Sequence, residues 1–288
     1  MSQRVVITEV GPRDGLQNEQ RIVPLADKVD LVNQLAQIGF QEIEASAFVS
    51  PKWIPQLADA KELFSSITRQ PSVQYSALVP NQQGLERAIA AKVDKIAVFT
   101  AASETFCQQN INTSIAGSIE RFAPVIEAAG HAEIPVRGYV SCAVRCPYDG
   151  PTHPDQVRRV ISALMDLGPI EIDLGDTIGA ASPEDMEPLL SAVDGLCPRD
   201  RIVMHLHDTQ GRAIEVARRC LELGVRRFDA AIAGLGGCPY APGSPGNVAT
   251  EAIAELCEEV GFEHGLDLVA LEQTSCWVQD RMIKGRQS

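Results

Sequence analysis

The sequence predicts a single (β/α)8 barrel, and three observations lead to that fold class. Short runs rich in Val, Ile and Leu alternate eight times with longer segments of helical periodicity, a pattern typical of parallel strands joined by crossover helices. The chain has 288 residues, close to the roughly 250 that such a barrel needs. No G-x-G-x-x-G run follows the first strand, so the alternative of an open doubly wound sheet lacks its usual support.

The predicted elements follow one another in strict alternation. Four of the predicted helices end before a glycine suited to a C-cap, at Gly39, Gly168, Gly224 and Gly261. A last helix, 269–283, belongs to an appended segment from about 262 to 288, so residues 1–288 are expected to form one domain. The predicted strands are 5–10, 42–48, 73–79, 95–100, 136–142, 171–174, 202–206 and 228–231, and the predicted helices are 25–38, 58–67, 82–91, 114–129, 154–167, 183–193, 212–223 and 248–260.

Composition excludes several classes of function. The formal net charge of −13 disfavours nucleic-acid binding, and no apolar run approaches the roughly 18 residues of a membrane span. No leader-like segment precedes the first strand, so we expect a cytoplasmic protein whose eight scattered cysteines are reduced. Cys142 and Cys146 are the only close pair; without a second pair we expect one buried thiol and one loop thiol, not a zinc site.

His205 and His207 stand two apart at the end of the seventh strand, so both imidazoles face the same side. In a (β/α)8 barrel the polar groups that carry chemistry gather at the carboxyl ends of the strands. By spacing alone, a metal site and a pair of ordinary hydrogen-bonded histidines are equally good interpretations.

A turn after the first strand, Gly-Pro-Arg-Asp-Gly, places Arg13 and Asp14 at the same end of the barrel. Asp14 is a candidate oxygen ligand, and Arg13 offers a fixed cation for an enolate or carboxylate. Taken alone, an ordinary turn with a local Arg–Asp pair is the better explanation. Glu44, inside the second strand, requires a cation, and Arg13 is the natural partner.

A segment rich in Gly and Pro, 233–247, follows the eighth strand and carries Cys238. Its composition suits a mobile lid, a phosphate cradle or a purely structural loop. Asn247 is a candidate helix N-cap or a metal ligand through its carbonyl oxygen. Two further acids complete the candidate set: Asp176 after the sixth strand, and Glu251 in the first turn of the next helix, where an acid is favourable in any case.

Five runs resemble the hydroxymethylglutaryl-CoA lyase family from about residue 4 to 262. They are Val-Gly-Pro-Arg-Asp-Gly-Leu-Gln-Asn-Glu from position 10, Phe-Val-Ser-Pro-Lys-Trp from 48, Gly-Tyr-Val-Ser-Cys from 138, Leu-Gly-Asp-Thr-Ile-Gly from 174 and Gly-Leu-Gly-Gly-Cys-Pro-Tyr-Ala from 234. Related synthases of the same metal-dependent superfamily share the Arg-Asp and His-x-His pieces but not the Cys-bearing loop. The resemblance implies cleavage of 3-hydroxy-3-methylglutaryl-CoA to acetyl-CoA and acetoacetate, in leucine breakdown and ketone-body formation, by a homodimer.

The resemblance also implies roles for individual residues. Asp14, His205, His207 and Asn247 match the family's metal ligands; Arg13, Cys238 and Glu44 match its catalytic residues; Asp176 and Glu251 match supporting acids. Two imidazoles with oxygen donors suit Mg²⁺ or Mn²⁺. Arg13 would stabilise the enolate oxygen and Cys238 would protonate its carbon. Asp14 and His205 are both candidates to accept the hydroxyl proton.

Some positions depart from the family pattern. Gln20 and Cys107-Gln108-Gln109 stand where lysines are frequent, and Asp173 is expected to line the barrel mouth. They keep open a lyase acting on a related substrate, such as citramalyl-CoA or a longer branched glutaryl-CoA. A condensing synthase and a non-catalytic metal-binding protein are further alternatives; the synthase usually carries an additional C-terminal region.

Overall fold

Eight parallel strands close into a barrel in the computed structural model, which describes residues 4–17, 19, 21–237 and 246–283. Each strand pairs in parallel with its sequence neighbours, and β1 pairs with both β2 and β8. The predicted barrel is therefore confirmed. The barrel strands are β1 (Val6–Glu9), β2 (Glu42–Ala47), β3 (Gln74–Leu78), β4 (Lys95–Ala101), β5 (Val136–Ser141), β6 (Glu171–Asp176), β7 (Ile202–Leu206) and β8 (Arg227–Ala230).

Ten α-helices are found in the part of the chain that the structure describes, and all nine predicted ones are among them. The glycines after four of them have φ of +109°, +92°, +94° and +79°, the left-handed C-cap conformation expected for Gly39, Gly168, Gly224 and Gly261. The helices are α1 (Leu25–Ile38), α2 (Ala60–Ser66), α3 (Gln82–Ala90), α4 (Glu104–Ile111), α5 (Ile115–His131), α6 (Pro154–Met165), α7 (Pro183–Val193), α8 (Ala213–Glu222), α9 (Thr250–Glu259) and α10 (Leu268–Val278).

Three local features differ from the sequence-based expectation. Helix α4 was not predicted, although Ser103 caps it by accepting a hydrogen bond from the N–H of Phe106 at 3.0 Å. A small hairpin pairs Arg145–Cys146 with Gly150–Pro151 after β5. The last helix ends at Val278 and continues as a π-helical turn, Gln279–Ile283. Each is short and carries too few residues for its periodicity to stand out.

The strands bury different side chains on their two faces. Ile43, Ile96 and Ile172 alternate with charged residues and pack outward in the large apolar cluster beneath the helices. The opposite face, toward the barrel axis, carries a network of charged and polar side chains, among them Glu42, Lys95, Arg137, Glu171 and Asp229. Aliphatic packing thus holds the helices to the barrel, and ion pairs fill the barrel itself.

The seven described cysteines are all free thiols. Cys142 and Cys146 are both buried, whereas one buried thiol and one loop thiol were expected. The hairpin folds Cys146 inward, and its Sγ lies 3.1 Å from Ser103 Oγ. No described group able to hold a metal contains a cysteine. Within the described ranges no helix has both the length and the apolar character that a membrane crossing requires.

Candidate metal centre and active site

Asp14, His205 and His207 meet at the carboxyl end of the barrel. The two histidine Nε2 atoms are 3.3 Å apart, and His205 Nε2 is 3.8 Å from Asp14 Oδ2. One donor atom from each of the three residues lies within 4.8 Å of the others. Asn247 lies beside them, because its amide donates to Asp14 Oδ2 at 3.0 Å. The structure thus brings together all four predicted ligands.

The turn that presents Arg13 and Asp14 is π-helical, Gly11–Gly15, directly after β1. Its N–H groups from residues 13, 14 and 15 all donate to the carbonyl of Val10, at 3.1, 2.8 and 3.2 Å. A Cβ on Gly15 would lie 2.8 Å from the Leu235 side chain, so the turn packs closely against the segment after β8. The Gly-Pro-Arg-Asp-Gly run is therefore more than a surface turn with a local ion pair.

His207 is held in place by two backbone contacts. It forms an isolated antiparallel bridge with Asn247. On its other side lies Gly179, with φ of +60°, where a Cβ would be 2.7 Å from the His207 carbonyl oxygen. Glycine at position 179 is thus required both by the backbone conformation and by the close approach. Gly179, the last residue of the Asp-Thr-Ile-Gly run, thus leaves room for the backbone of His207.

Asn247 does not cap a helix. Helix α9 begins at Thr250 and its N-cap residue is Ala249, so the N-cap interpretation of Asn247 is wrong. Its amide group instead donates to Asp14 Oδ2 and to the carbonyl of Leu235 at 3.2 Å. With the nitrogen occupied in this way, the carbonyl oxygen of Asn247 is the atom left to act as a ligand.

Arg13 joins the centre to the barrel interior. Its Nε donates to Glu44 Oε2 at 2.6 Å, which confirms the expected pair, and its Nη1 contacts Asp14. Tyr139 lies under the guanidinium, 5.4 Å from ring centre to Cζ, and its hydroxyl is 3.2 Å from the same Glu44 oxygen. Arg13 is held on two sides, so its orientation is fixed before any ligand arrives.

The charges of the centre suit metal ligands. Burial would raise the pKa of Asp14, but the charges of Arg13 and the two histidines outweigh it and lower the pKa to about 2. Burial and the neighbouring His205 lower the pKa of His207 to about 4. Near neutral pH the site therefore offers an ionised carboxylate and a neutral imidazole, both of which are the ligand forms.

Asp176 and Glu251 lie outside this group of donor atoms, and each accepts hydrogen bonds from backbone N–H groups of a loop. Asp176 accepts hydrogen bonds from the N–H groups of Ala180 and Ala181, both at 3.0 Å, in the loop that carries Gly179. Glu251 accepts from the N–H of Ala233, at 3.0 and 3.2 Å, where the chain leaves β8. Cys238, with the rest of 238–245, lies outside the described residues.

Asp173 does not line the barrel mouth. Its side chain is 0% exposed, so it lies inside the barrel below the mouth, and the expectation that it meets a substrate tail is wrong. Burial raises the pKa of Asp173 well above its ordinary value, and the neighbouring Asp229 adds to the rise. A protonated Asp173 can share its proton with Asp229, which removes the cost of two adjacent buried negative charges.

Asp229, Arg137 and Tyr139 are site residues that sequence reasoning missed. Asp229 lies 3.2 Å from His205 Nδ1 and accepts from Arg137 Nη1 at 2.8 Å and from the Tyr139 hydroxyl at 3.0 Å. A signal for Asp229 existed in Phe-Asp-Ala, a charged residue in the middle of a buried strand. Arg137 carried the same signal, as a charged residue within the predicted strand 136–142, whereas Tyr139 carried none.

The fold and the site define a class: a (β/α)8-barrel enzyme with a candidate metal centre at the carboxyl ends of its strands. The comparisons with known proteins give the family. The HMGL-like family model matches residues 4–278, and this chain belongs to the hydroxymethylglutaryl-CoA lyase family.

Characterised relatives cover most of the chain. It is 48% identical over 264 residues to the cytoplasmic 3-hydroxy-3-methylglutaryl-CoA lyase of Rattus norvegicus, covering 92% of this chain and 77% of that one. It is 47% identical over 271 residues to a 3-hydroxy-3-isohexenylglutaryl-CoA/hydroxymethylglutaryl-CoA lyase of Pseudomonas aeruginosa, covering 94% and 90%. The resemblance seen in the sequence is confirmed.

Solved structures of the family share the fold. The HMG-CoA lyase of Brucella melitensis superposes with a TM-score of 0.95 at 52% identity, covering 96% of this chain and 98% of that one. An HMG-CoA lyase from Acinetobacter baumannii, solved in complex with coenzyme A and 3-methylmalate, gives a TM-score of 0.92 at 38% identity, covering 97% and 92%.

Proposed function

We propose that this protein cleaves 3-hydroxy-3-methylglutaryl-CoA to acetyl-CoA and acetoacetate with the help of a divalent cation. The observation that carries the proposal is the convergence of Asp14, His205 and His207 next to a buried, fixed Arg13. Relatives that are 48% identical to this chain over 264 residues and 47% identical over 271 residues are named as lyases of this substrate. A condensing synthase and a metal-storage protein have no such support.

The donor set fits Mg²⁺ or Mn²⁺, held by Asp14, His205, His207 and the carbonyl oxygen of Asn247. Two nitrogens and two oxygens without a thiolate are typical of a fairly hard cation. The two imidazole nitrogens face each other at 3.3 Å, where two lone pairs repel unless a proton or a cation lies between them. When bound, the cation supplies Lewis-acid polarisation and lowers the pKa of the substrate hydroxyl.

The reaction removes the proton of the C3 hydroxyl and breaks the bond between C2 and C3. The electron pair of that bond moves onto C2, which becomes the carbon of the acetyl-CoA enolate, while C3 becomes the ketone of acetoacetate. Asp14 and His205 are the two groups positioned to accept the hydroxyl proton. Arg13 and His205 are buried, which limits the access of bulk water to the carbanion beside them.

Arg13 stabilises the enolate oxygen. Its Nε contacts Glu44 and its Nη1 contacts Asp14. Among the described residues no such partner is seen for Nη2, so Nη2 is the nitrogen that donates to a substrate oxygen. A preformed donor aimed at developing negative charge needs no reorganisation during the reaction. Glu44 holds Arg13 in place, while Asp176 and Glu251 hold the loops after β6 and β8.

Cys238 delivers the proton that C2 needs, through its thiol. This assignment rests on the position of Cys238 in the Gly-Leu-Gly-Gly-Cys run that follows Ile232–Gly234 after β8. The described residues on either side of 238–245 lie close to the metal centre: Gly246 and Asn247 contact Asp208 and Asp14, and a Cβ on Gly236 would lie 3.0 Å from Asn247 Nδ2.

The wider expectations belong to the same proposal. The substrate is an acyl-CoA, which the coenzyme A in the Acinetobacter relative supports. Residues 1–288 act as one catalytic domain with an appended C-terminal segment, as a homodimer. A cytoplasmic location has the support of a relative named cytoplasmic, the rat lyase.

The direct test is to incubate the reduced, folded protein with the acyl-CoA and Mg²⁺ and to measure acetoacetate. We expect product that disappears with chelator and returns with added Mg²⁺ or Mn²⁺. Comparing kcat/KM for citramalyl-CoA and a longer branched glutaryl-CoA ranks the substrates. Absence of acetoacetate from folded, metal-supplied protein would refute the proposed reaction.

The role of Cys238 has a matched control in Cys276, an exposed free thiol on α10. We expect Cys238→Ala to lose most of kcat and Cys276→Ala to retain it. Equal activity of the two variants would remove Cys238 from the mechanism while leaving the metal centre in place.

A further inference from the structure

The carboxylate of Asp229 is buried directly behind His205. It is 1% exposed as a residue and 0% exposed in its side chain, on β8, the strand between β1 and β7. Its Oδ2 lies 3.2 Å from Nδ1 of His205, the ring nitrogen that points away from Asp14 and His207. One side of the imidazole thus faces the metal centre and the other faces a fixed acid.

Two donors from β5 hold that acid. Arg137 Nη1 donates to Oδ1 at 2.8 Å, and the Tyr139 hydroxyl donates to Oδ2 at 3.0 Å. Arg137 is anchored in turn, because its Nε donates to Glu171 at 2.7 Å and its Nη2 to Glu42 at 3.1 Å.

A carboxylate bonded to a guanidinium, as Asp229 is to Arg137 at 2.8 Å, acts as an acceptor of hydrogen bonds. His205 must therefore donate its Nδ1 proton to Asp229, which in the neutral ring leaves the Nε2 lone pair free on the side of Asp14 and His207. We propose that Asp229 is a positioning residue of the metal centre, which fixes the tautomer and the ring orientation of His205 and so presents Nε2 to the cation. The proposal rests on the proposed function only in taking His205 as a ligand of a divalent cation.

A purely structural role predicts something different. If Asp229 served only as a counter-ion for Arg137, its replacement would lower stability without changing how His205 meets a metal. The tautomer role predicts weaker metal binding, because an amide at position 229 can turn its NH₂ toward Nδ1 and favour the ring with a proton on Nε2. Loss of such outer carboxylates typically weakens metal affinity 10- to 100-fold.

The test measures Mn²⁺ affinity of the full chain directly, by calorimetry or from the electron paramagnetic resonance of free Mn²⁺. We expect Asp229→Asn to raise the Kd for Mn²⁺ roughly 10- to 100-fold. Part of the lost activity should return when Mn²⁺ is raised, with a smaller change in the KM for the acyl-CoA. Tyr139→Phe removes one donor to Asp229 and should weaken Mn²⁺ binding less.

Asp173→Asn is the matched control. Asp173 lies on β6, is equally buried and is close to Asp229, and an asparagine there keeps the shape of the side chain. We expect its Mn²⁺ affinity to stay close to that of the wild type. If Asp229→Asn also binds Mn²⁺ like the wild type, the positioning role is wrong while the metal centre stands. If the wild type itself binds no Mn²⁺, the cation proposal fails and this inference fails with it.

A second measurement needs no variant. Long-range ¹H–¹⁵N correlation spectra of the Mg²⁺-loaded wild type, labelled at histidine, report which ring nitrogen carries the proton. We expect His205 to be protonated at Nδ1. A proton on Nε2 of His205 in the loaded protein would overturn the proposal even if Asp229→Asn could not be obtained folded.

Discussion

Ionisable side chains cluster at both ends of the barrel, and the two clusters are built in opposite ways. The basal cluster, Glu42, Lys95, Arg137 and Glu171, lies at the amino ends of the strands, where each cation contacts both acids. The mouth cluster, Asp14, His205 and His207, lies at the carboxyl ends, where three donor atoms converge. In the basal cluster, acids and bases neutralise one another. In the mouth cluster, atoms that could each bind a cation lie close together.

The difference separates a structural cluster from a functional one. Buried charges are tolerated where partners satisfy them, as in the basal cluster. In the mouth cluster the nearby cation, Arg13, is shared with Glu44, and two imidazole nitrogens face each other. A cluster whose donors converge without enough internal cations is suited to a cation from solution. We therefore expect damage to the mouth to remove activity and damage to the base to remove stability.

The largest effect is expected for His207→Ala. Removing one ligand should lower kcat/KM at least about 10³-fold, because metal polarisation contributes several kcal/mol to the transition state. The free energy of unfolding of the metal-free protein should change little near neutral pH. Burial and His205 lower the pKa of His207 to about 4, so the ring is neutral there and its removal breaks no ion pair. Enzyme assays and urea unfolding measure the two quantities. His153→Ala, at a side chain that is 72% exposed, is the control and should retain activity.

Lys95→Ala should do the reverse. It leaves Glu42 and Glu171 without one of their cations, in residues that are at most 4% exposed, and should cost about 3–5 kcal/mol of unfolding free energy. Urea unfolding of metal-free protein measures it. Arg219→Ala, which breaks exposed ion pairs with Glu187 and Glu222, should change the unfolding free energy far less, because solvent screens exposed pairs. Similar losses in the two variants would contradict the structural role of the basal cluster.

Asp14 gives a pH test of the mouth cluster. Its pKa falls from 3.8 to about 2 on folding, so its ionised form stabilises the metal-free protein by about 2 kcal/mol above pH 4. Because a lowered pKa means that the unfolded chain binds the proton more readily, this stability is lost as the pH falls from about 4 to about 2. The difference in unfolding free energy between wild type and Asp14→Asn, measured with chelator, should shrink over that window. Asp30→Asn, on the surface of α1, is the control; a difference that does not vary with pH would argue against a low pKa for Asp14.

The smallest effect separates two glycines with the same backbone conformation. Gly179 and Gly211 have φ of +60° and +70°, so an alanine at either costs about 1–2 kcal/mol. At Gly179 the new Cβ also meets the His207 carbonyl at 2.7 Å, whereas at Gly211 nothing lies within 4 Å. We expect only Gly179→Ala to weaken Mn²⁺ binding as well. Equal Mn²⁺ affinity in the two variants would show that Gly179 does not control the position of His207.

Much of the fold could be predicted because its signals are local. All eight strands and nine of the helices follow from apolar periodicity, and the four glycine C-caps follow from the left-handed conformation that only glycine adopts readily. Helix α4 was missed because eight residues with a weak apolar face carry little periodic signal. Asn247 was open to misinterpretation because an N-cap and a ligand favour the same residue type.

By itself the sequence determined the strand and helix order, the shared face of His205 and His207, and the need of Glu44 for a cation. Each depends on neighbours along the chain or on the cost of burying a charge. Only the tertiary structure decided that Asp14 meets His205, that Asn247 donates to Asp14, and that Asp229 stands behind the imidazole. Asn247 reaches Asp14 because β8 closes the barrel against β1, which brings together residues 233 positions apart. Asp229 reaches His205 because the register of β8 against β7 places the two residues side by side, and no local pattern in the sequence specifies either contact.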